Sequence, residues 1–368
     1  MKIKQIEIYK SPIRLKEPFI ISLGSFDYAN NIIVVIRTDN GIEGYGECSP
    51  FMSINGETME TCSVVGQYIG GALIGKDPLK IEECSDTMDE IIYGNASIKS
   101  AFDIAIHDIA SQYAGLPLYE FLGGNKKKMI VTDYTVSLGS PDKMASDALR
   151  IVQTGFQIIK VKLGCRDGKD IERIRKIREA VGYDIPVRID ANQGWTSVEA
   201  ISNLYALGSY KIDFCEEPIP RWDYTSLPEV KSHSPVPVMA DESCGDDHDA
   251  RRLIALNACD SFNIKLGKSS GITKAMKIIR LAEDAVMKMQ VGGFLESRLG
   301  FTASAHLALV SDNIVFFDFD SPLMFEEDPV IGGITYGAGG VVTVPDAPGL
   351  GAKADRNYLG RLEKVIVK

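Results

Sequence analysis

The chain has few histidines, no C-x-x-C pair and no long apolar run. Its seven cysteines are odd in number and include no C-x-x-C pair, so neither a disulfide framework nor a cysteine-rich zinc site is expected. The four histidines show no spacing typical of metal ligands. No segment approaches the roughly 18 apolar residues of a membrane-spanning helix. These absences favour a cytoplasmic protein with reduced thiols and no membrane partner.

Positive charge is also in deficit. The 368 residues include 50 Asp and Glu against 40 Lys and Arg, which gives a net charge of −10. A chain with this balance is not expected to bind nucleic acid over a general surface. A locally positive site for a small anion is still compatible with it. The length fits two domains, or one large α/β barrel with attachments.

The first third of the chain changes from strand to helix patterns. Residues 1–50 alternate in the manner of strands and include a hairpin turn at 39–41. Helical periodicity follows, and the segment 97–115 predicts a helix that buries one face, Tyr113 included. We therefore predict an α+β capping domain over residues 1–125.

Strands and helices alternate from about residue 129 onwards. Polar residues at the ends of successive candidate strands, at positions 162, 190, 216, 241 and 265, are separated by 28, 26, 25 and 24 residues. Eight such strands, with helical patterns between most of them, are typical of a parallel barrel. We predict an α/β fold with a modified (β/α)8 TIM barrel of (β/α)7β type over residues 126–325. The C-terminal segment 326–368 is predicted to pack back on the capping domain.

The polar residues at these strand ends sort by charge. Active sites in such barrels lie at the C-terminal ends of the strands. A single acid there is more often a helix cap or a solvated loop residue. Here three successive strands end in acids and the flanking strands end in lysines, which indicates a site. The set is Thr135, Lys160, Lys162, Asp190, Asn192, Glu216, Glu217, Asp241, Glu242, Lys265, Asp318 and Asp320.

Three of the acids, Asp190, Glu216 and Asp241, would converge from neighbouring strands. Their mutual repulsion is relieved most simply by a divalent cation. Hard oxygen ligands without histidine or cysteine favour Mg²⁺, with Mn²⁺ as a substitute, over Zn²⁺. The sequence thus predicts a magnesium site.

The lysines indicate proton transfer next to that site. Lys160 and Lys162, in the run FQIIKVKLG, point to the same side of a strand, and Lys265 comes from a strand roughly opposite. A lysine base needs a pKa nearer ~7–8 than the usual ~10.4. We expect the second ammonium, the cation and burial to lower it. Such a site suits removal of an α-proton, with the negative charge stabilised as an enediolate.

The motifs in which these residues lie resemble those of the enolase superfamily, specifically its muconate-lactonizing subgroup, and the resemblance covers the whole chain. It implies that Asp190, Glu216 and Asp241 are the metal ligands, supported by Asn192. It also implies an acid/base pair of Lys162 and Lys265, with Lys160 as an electrostatic helper. The motifs are K-x-K (160–162), D-A-N (190–192), E-E-P (216–218), ADES (240–243) and NIKLGKSSG (263–271).

The subgroup includes cycloisomerases, o-succinylbenzoate synthases, N-acylamino acid racemases and dipeptide epimerases. In FFDFDSPLMF, Asp318 and Asp320 face one way and need a cation other than the metal. The α-ammonium of a dipeptide would serve, and this D-x-D resembles the one in dipeptide epimerases. We therefore expect epimerisation of a dipeptide by 1,1-proton transfer at the α-carbon of its C-terminal residue. An N-acylamino acid racemase or o-succinylbenzoate synthase is the alternative.

Specificity is inferred from two departures from related patterns. Epimerases for Ala-Glu resemble this chain around FIISLGSF but carry an arginine where Gly24 stands, and relatives often have Met where Phe294 stands. We expect a small, uncharged second residue, with Ala-Ala as the leading substrate and Thr135 among the residues that contact it. A homo-oligomer and peptidoglycan-derived dipeptides are expected from family analogy alone. A barrel that only binds dipeptides is disfavoured, because no base or ligand is missing.

Overall fold

A computed structural model describes all 368 residues, and its N-terminal part is an antiparallel sheet covered by helices. A buried run at 32–36 fits the middle of this sheet, and the helix of 96–114 ends where Gly115 adopts a left-handed conformation (φ 71°). The elements are strands β1 (Ile3–Ile21), β2 (Gly24–Thr38) and β3 (Glu43–Cys48), followed by helices α1 (Met59–Leu73), α2 (Ile81–Ile91), α3 (Ala96–Ala114) and α4 (Leu118–Phe121).

The central part is a curled sheet of eight parallel strands in sequential order, preceded by the short strand β4 (Ile130–Val131). One backbone hydrogen bond from Asp133 to Phe317 (3.3 Å) joins the first strand region to the last. The strands and helices alternate as β5 (Tyr134–Val136), α5 (Pro141–Gln153), β6 (Ile159–Lys162), α6 (Asp170–Val181), β7 (Val187–Asp190), α7 (Ser197–Leu207), β8 (Ile212–Glu216), α8 (Leu227–His233), β9 (Val238–Ala240), α9 (Asp247–Ala255), β10 (Ser261–Lys265), α10 (Ile272–Asp284), β11 (Lys288–Gly292), α11 (Arg298–Ala308) and β12 (Ile314–Phe317).

Eight strands with seven intervening helices confirm the predicted (β/α)7β barrel and its N-terminal α+β unit. The predicted burial of Tyr113 on α3 is wrong: its side chain is 60% exposed, whereas Phe102 and Ile106 are buried. All seven cysteines are unpaired. Within the structure, no helix has the length and apolar character needed to cross a bilayer.

The C-terminal segment makes small sheets around the barrel before it reaches the N-terminal sheet. Only its last strand pairs with β1, while an earlier one pairs with β4 at the start of the barrel. The domain boundaries at 125 and 325 stay predictions. The elements of this segment are β13 (Val330–Gly332), β14 (Thr335–Tyr336), β15 (Val341–Thr343), β16 (Ala352–Ala354), α12 (Arg356–Leu359) and β17 (Lys364–Val367).

Two segments of the N-terminal unit, the hairpin tip (residues 19–24) and the loop 49–58, lie over the C-terminal ends of the barrel strands. In the hairpin tip, the Ser22 hydroxyl donates to the carbonyl of Asn192 (2.8 Å). In the loop, the Asn55 side chain donates to the carbonyl of Gly267 (3.2 Å), and the Arg221 guanidinium donates to the carbonyl of Ile54. These contacts place apolar side chains of both segments above the barrel.

Acids of the N-terminal unit also cap two barrel helices. The N-terminus of α10 follows Gly271 and has no capping side chain of its own. Asp103 of α3 supplies one by accepting from the backbone N–H groups of Ile272 (2.5 Å) and Thr273 (3.1 Å). Glu47 of β3 accepts from the N–H of Gly300 (2.8 Å) in the first turn of α11. Because these carboxylates satisfy otherwise orphaned donors, they tie the two units together.

Candidate active site

The barrel strands bring the predicted acids and lysines level with one another. In the parallel register, Lys162 pairs with Asp190, and Asp190 pairs with Glu216 on the next strand. Asp241 follows the end of β9, and Lys265 ends β10. Since strands β6 and β10 are four positions apart in an eight-stranded barrel, Lys162 and Lys265 approach from opposite sides.

Lys160 is the most enclosed member of the set, with no exposed surface. Its ammonium lies 2.8 Å from Glu216, 2.8 Å from Asp318 and 3.4 Å from Asp190. Burial by itself would lower the pKa of Lys160, but these carboxylates raise it well above its usual value. Lys160 therefore stays charged and holds three acids together.

Lys162 and Lys265 each contact an acid and lie close to one aromatic ring, and Lys265 also lies 3.8 Å from Glu216. Lys162 contacts Asp190 (2.7 Å) and lies 5.7 Å from the centre of the Phe19 ring. Lys265 contacts Asp241 (2.6 Å) and lies 4.9 Å from the centre of the Phe294 ring. Ring and carboxylate fix each ammonium in position.

The pKa of Lys265 departs from the expected direction, and the predicted lowering by a bound cation stays a prediction. Burial acts in the expected direction on Lys265, but Asp241 and Glu216 raise its pKa above the usual value. Both ammonium groups of the K-x-K motif contact Oδ2 of Asp190, at 3.4 Å for Lys160 and 2.7 Å for Lys162. The sequence predicted which charged residues converge here. It did not predict how closely carboxylates approach each lysine.

The acids fit a hard divalent cation by their chemistry. No three acidic, histidine or cysteine side chains are arranged to hold a metal ion. Lysine ammonium groups instead contact carboxylate oxygens of all three acids. Burial and the neighbouring Asp190 carboxylate raise the pKa of Glu216 to about 7, which a bound cation would relieve. A buried amide oxygen of Asn192 also lacks any partner. Asp190, Glu216 and Asp241 are the residues that would hold Mg²⁺.

A cavity between the barrel and the two overlying segments collects most of the other predicted residues. Thr135, Lys162, Asn192, Lys265, Phe294, Asp318 and Asp320 all line it, together with Phe19, Ile21, Phe51 and Ile54 from the overlying segments. Lys160 and Gly24 are not among the lining residues. Lys160 thus lies beneath the cavity floor, bound to the Asp318 carboxylate that faces it.

The two acids of the D-x-D motif are both buried in this cavity wall. Asp318 accepts from the Lys160 ammonium (2.8 Å), and Asp320 accepts from the backbone N–H of Thr135 (2.6 Å). They face the same cavity as Lys162 and Lys265. A ligand that lies between the two lysines can therefore extend to this acidic end.

Gly24 has a conformational reason to be glycine. Its φ of +151° lies in a region that residues with a side chain rarely adopt. An arginine would be strained at this position, which does not line the cavity. Asn192 has its backbone N–H on the Asp190 carboxylate (2.8 Å), which orients that acid.

The site is supported by Asn263, Gln290 and Lys268, which were not predicted from the sequence, and by Glu217, which belongs to the predicted set of strand-end acids. Asn263 and Gln290 donate to the two oxygens of Glu216 (2.9 and 3.1 Å). Glu217 accepts from the backbone N–H of Asp241 (2.7 Å), and Lys268 donates to the Asp241 carboxylate (2.7 Å). Asn263 could have been found, since it lies two residues before Lys265 and shares its side of the strand. Lys268 lies in a turn, where a lysine is ordinarily exposed to solvent, so nothing in the sequence singled it out.

Two family descriptions match the chain. Residues 3–123 match the N-terminal domain of the mandelate racemase / muconate lactonizing enzyme family, and residues 143–358 match the enolase C-terminal domain-like family. The chain belongs to the mandelate racemase / muconate lactonizing enzyme family, which confirms the resemblance inferred from its motifs.

Individual relatives are similar over the full length. The D-Ala-D/L-Ala epimerase of Cytophaga hutchinsonii is 59% identical over 100% of both chains. The hydrophobic dipeptide epimerase of Enterococcus faecalis is 41% identical over 95% of this chain and 99% of its own. A crystal structure of the dipeptide epimerase from Cytophaga hutchinsonii, complexed with Mg and the dipeptide D-Ala-L-Val, has a TM-score of 0.99 and covers 100% of both chains at 59% identity.

Proposed function

We propose that the protein is a magnesium-dependent isomerase that epimerises dipeptides at the α-carbon of the C-terminal residue, with small uncharged dipeptides such as Ala-Ala as substrates. One observation carries the proposal. Two lysines from opposite strands and the Asp318–Asp320 pair line the same buried cavity. The named activities of the two relatives and the dipeptide bound in the similar crystal structure support it.

The two lysines provide for inversion of a carbon centre. One of them, as the neutral amine, takes the α-proton from one face of the substrate; a cation held by Asp241 and Glu216 would offset the two carboxylates that raise the pKa of Lys265. The other, as the ammonium, returns a proton to the opposite face. Lys162 and Lys265 exchange these tasks when the reaction runs in reverse. A dehydration needs only one such base, so the opposed pair favours 1,1-proton transfer.

The negative charge that develops is met by cationic groups below the cavity. Lys160 remains charged and is held by three carboxylates, so it needs no reorganisation during the reaction. When bound by Asp190, Glu216 and Asp241, Mg²⁺ supplies a Lewis acid that favours loss of the α-proton next to a carboxylate.

The acidic pair holds the other end of the substrate. Asp318 and Asp320 are the only lining acids of this cavity, and the α-ammonium of an unblocked dipeptide is their natural partner. An N-acylated amino acid has no such ammonium. The D-x-D pair is therefore the feature that favours dipeptides over the substrates of an N-acylamino acid racemase.

The size of the second residue is restricted by aromatic walls. Phe294 covers Lys265 and stacks on Phe51 of the overlying loop, with ring centres 5.6 Å apart. Phe51 in turn packs on Phe26 (4.5 Å). Since these rings support one another, a bulky side chain at the reacting α-carbon would have to displace the stack, and alanine would not.

Deuterium incorporation tests the proposal. Incubation of the protein with L-Ala-L-Ala and Mg²⁺ in D₂O is expected to yield a mixture of epimers with deuterium at the C-terminal α-carbon. Lys162→Ala and Lys265→Ala are each expected to lower epimerisation about 10² to 10⁴-fold or more, whereas Lys127→Ala, at an exposed lysine, leaves it unchanged.

Two results would contradict the proposal. Full racemising activity in both active-site variants would exclude the two-base mechanism. Turnover of N-succinyl amino acids by the wild-type protein, without any exchange into free dipeptides, would favour the N-acylamino acid racemase instead.

A further inference from the structure

Lys268 is a buried lysine outside the cavity. It lies in the turn between β10 and α10, and its residue surface is only 8% exposed. Its ammonium donates to the Asp241 carboxylate (2.7 Å), to the backbone carbonyl of Asp241, and to the backbone carbonyl of Asn263 (2.7 Å). Because an ammonium has three N–H donors, none remains for a substrate.

These contacts join two of the three acids proposed to bind the cation. Asp241 follows β9, and Asn263 lies within β10, so Lys268 bridges adjacent strand ends. The side chain of Asn263 donates to Glu216 (2.9 Å). Lys268 thus contacts Asp241 directly and is connected to Glu216 through one residue.

The two oxygens of Asp241 have different lysine partners. Oδ2 lies 2.6 Å from Lys265, which lines the cavity, and Oδ1 lies 2.7 Å from Lys268. Glu217 holds the backbone N–H of Asp241 from another side. If Lys268 were absent, Oδ1 would lose its partner and the carboxylate could rotate towards Lys265.

We propose that Lys268 is a positioning residue that holds Asp241 in the orientation needed to bind the divalent cation. The inference deepens the proposed function, because it concerns the same metal site. Two effects of Lys268 oppose each other: its charge repels a cation, and its hydrogen bonds orient a ligand. The Asp241 backbone carbonyl also accepts from the N–H of Cys244 (2.9 Å), but Oδ1 of its carboxylate has Lys268 as its hydrogen-bond partner (2.7 Å) and would be left unpaired in a buried site without it. The orienting effect therefore dominates.

The test is the affinity for Mg²⁺ itself, measured by titration calorimetry without substrate. Lys268→Met is expected to weaken Mg²⁺ binding about 10 to 100-fold, the usual loss when a partner of a ligand is removed. Lys268→Arg keeps the charge but cannot reproduce the three directed hydrogen bonds, so it is also expected to weaken binding. Lys288→Met is the matched control. It removes the same charge from an exposed residue at the N-terminal end of β11, whereas the active site lies at the C-terminal ends of the strands.

The outcomes separate orientation from charge. An unchanged or tighter dissociation constant for Mg²⁺ in folded Lys268→Met overturns the proposal. If Lys268→Met does not fold, Lys268→Arg decides, and a wild-type affinity in that variant overturns it. Failure of the proposed function would appear differently, as wild-type protein that binds Mg²⁺ but exchanges no dipeptide α-proton.

Discussion

Asp318 and Asp320 lie two residues apart in one cavity wall, and their carboxyl pKa values are displaced in opposite directions. Although burial disfavours the charge on Asp318, the ammonium groups of Lys160 and Lys162 lower its pKa to about 2. Burial and the Asp318 carboxylate raise the pKa of Asp320 to about 7. One acid of the pair is therefore always charged near neutral pH, and the other titrates.

The titration of Asp320 predicts a pH dependence of substrate binding. Below about pH 7 Asp320 is protonated and pairs less well with the substrate ammonium, so KM for Ala-Ala is expected to fall as pH rises from 6 to 7.5. Steady-state kinetics over this range provide the measurement. Above that window the substrate's own amino group begins to lose its proton, with a pKa near ~8.

In the control variant Asp320→Asn, KM should be higher at every pH and should no longer fall as pH rises from 6 to 7.5. A slope that persists in the variant would assign the titration to another group.

Substitution of Phe294 predicts a change of specificity. Phe294→Met removes a rigid ring from the stack over Lys265 and replaces it with a flexible side chain. We expect kcat/KM for Ala-Leu relative to Ala-Ala to rise about 10-fold, the scale of a change in apolar pocket size. Competition assays with mixed dipeptides measure this ratio directly. Trp222→Met, at a 77% exposed aromatic away from the cavity, serves as the control. A ratio unchanged in Phe294→Met would show that the ring does not limit the second residue.

Protonation of the buried His306 is expected to lower the stability of the fold in mild acid. His306 is fully buried, and its ring accepts from the N–H of Tyr119 (3.1 Å) and donates to the carbonyl of Leu350 (3.1 Å). Burial lowers the pKa of His306 to about 4, whereas an unfolded histidine has a pKa near ~6.5. The unfolded chain then binds the extra proton between these values, so stability rises with pH across that window and is lost as pH falls.

The size of this effect is at most about 3 kcal/mol between pH 7 and pH 4. Urea unfolding at a series of pH values measures it. In His306→Asn the acid-dependent part should shrink, whereas His248→Asn, at an exposed histidine, should retain it. Identical pH profiles for wild type and His306→Asn would refute the assignment.

Removal of Asp103 is expected to lower the free energy of unfolding by more than the loss of an ordinary helix cap. The Asp103 carboxylate accepts from two N–H groups of α10 and from the hydroxyl of Thr273 (2.5 Å), and it also contacts His107 (3.3 Å). Asp103→Ala would leave these buried groups unpaired, so we expect a loss of about 2 to 4 kcal/mol. Asp246→Ala removes a cap from α9 within the barrel itself and should cost about 1 kcal/mol. Equal losses in the two variants, measured by denaturant unfolding, would argue against a special role for the contact between the units.

The order of the barrel strands and the convergence of their charges could be predicted from the sequence because both follow from local spacing. A step of 24 to 28 residues between polar strand ends is set by one strand, one helix and two loops. Asp190 and Glu216 are therefore level in the structure, as expected. Local spacing also shows that Lys160 and Lys162 share a side.

Properties that depend on partners distant in the chain could not be predicted in this way. Lys160 lies beneath the cavity because Glu216 and Asp318 enclose it, and these acids raise its pKa although burial would lower it. Tyr113, one residue before the last residue of α3, is exposed although its spacing matches the buried face. Lys268 is buried only because Asp241 and Asn263 present carbonyl groups to it.

The capping of α10 by Asp103 and of α11 by Glu47 bears on how such proteins can be recombined. A barrel cut free at residue 126 would keep its sheet but lose the carboxylates that complete two of its helices. A chimera that joins this barrel to the N-terminal unit of a relative would need acids at these same two places. We therefore expect the barrel to depend on the N-terminal unit for its stability, even though the residues proposed to transfer protons lie in the barrel alone.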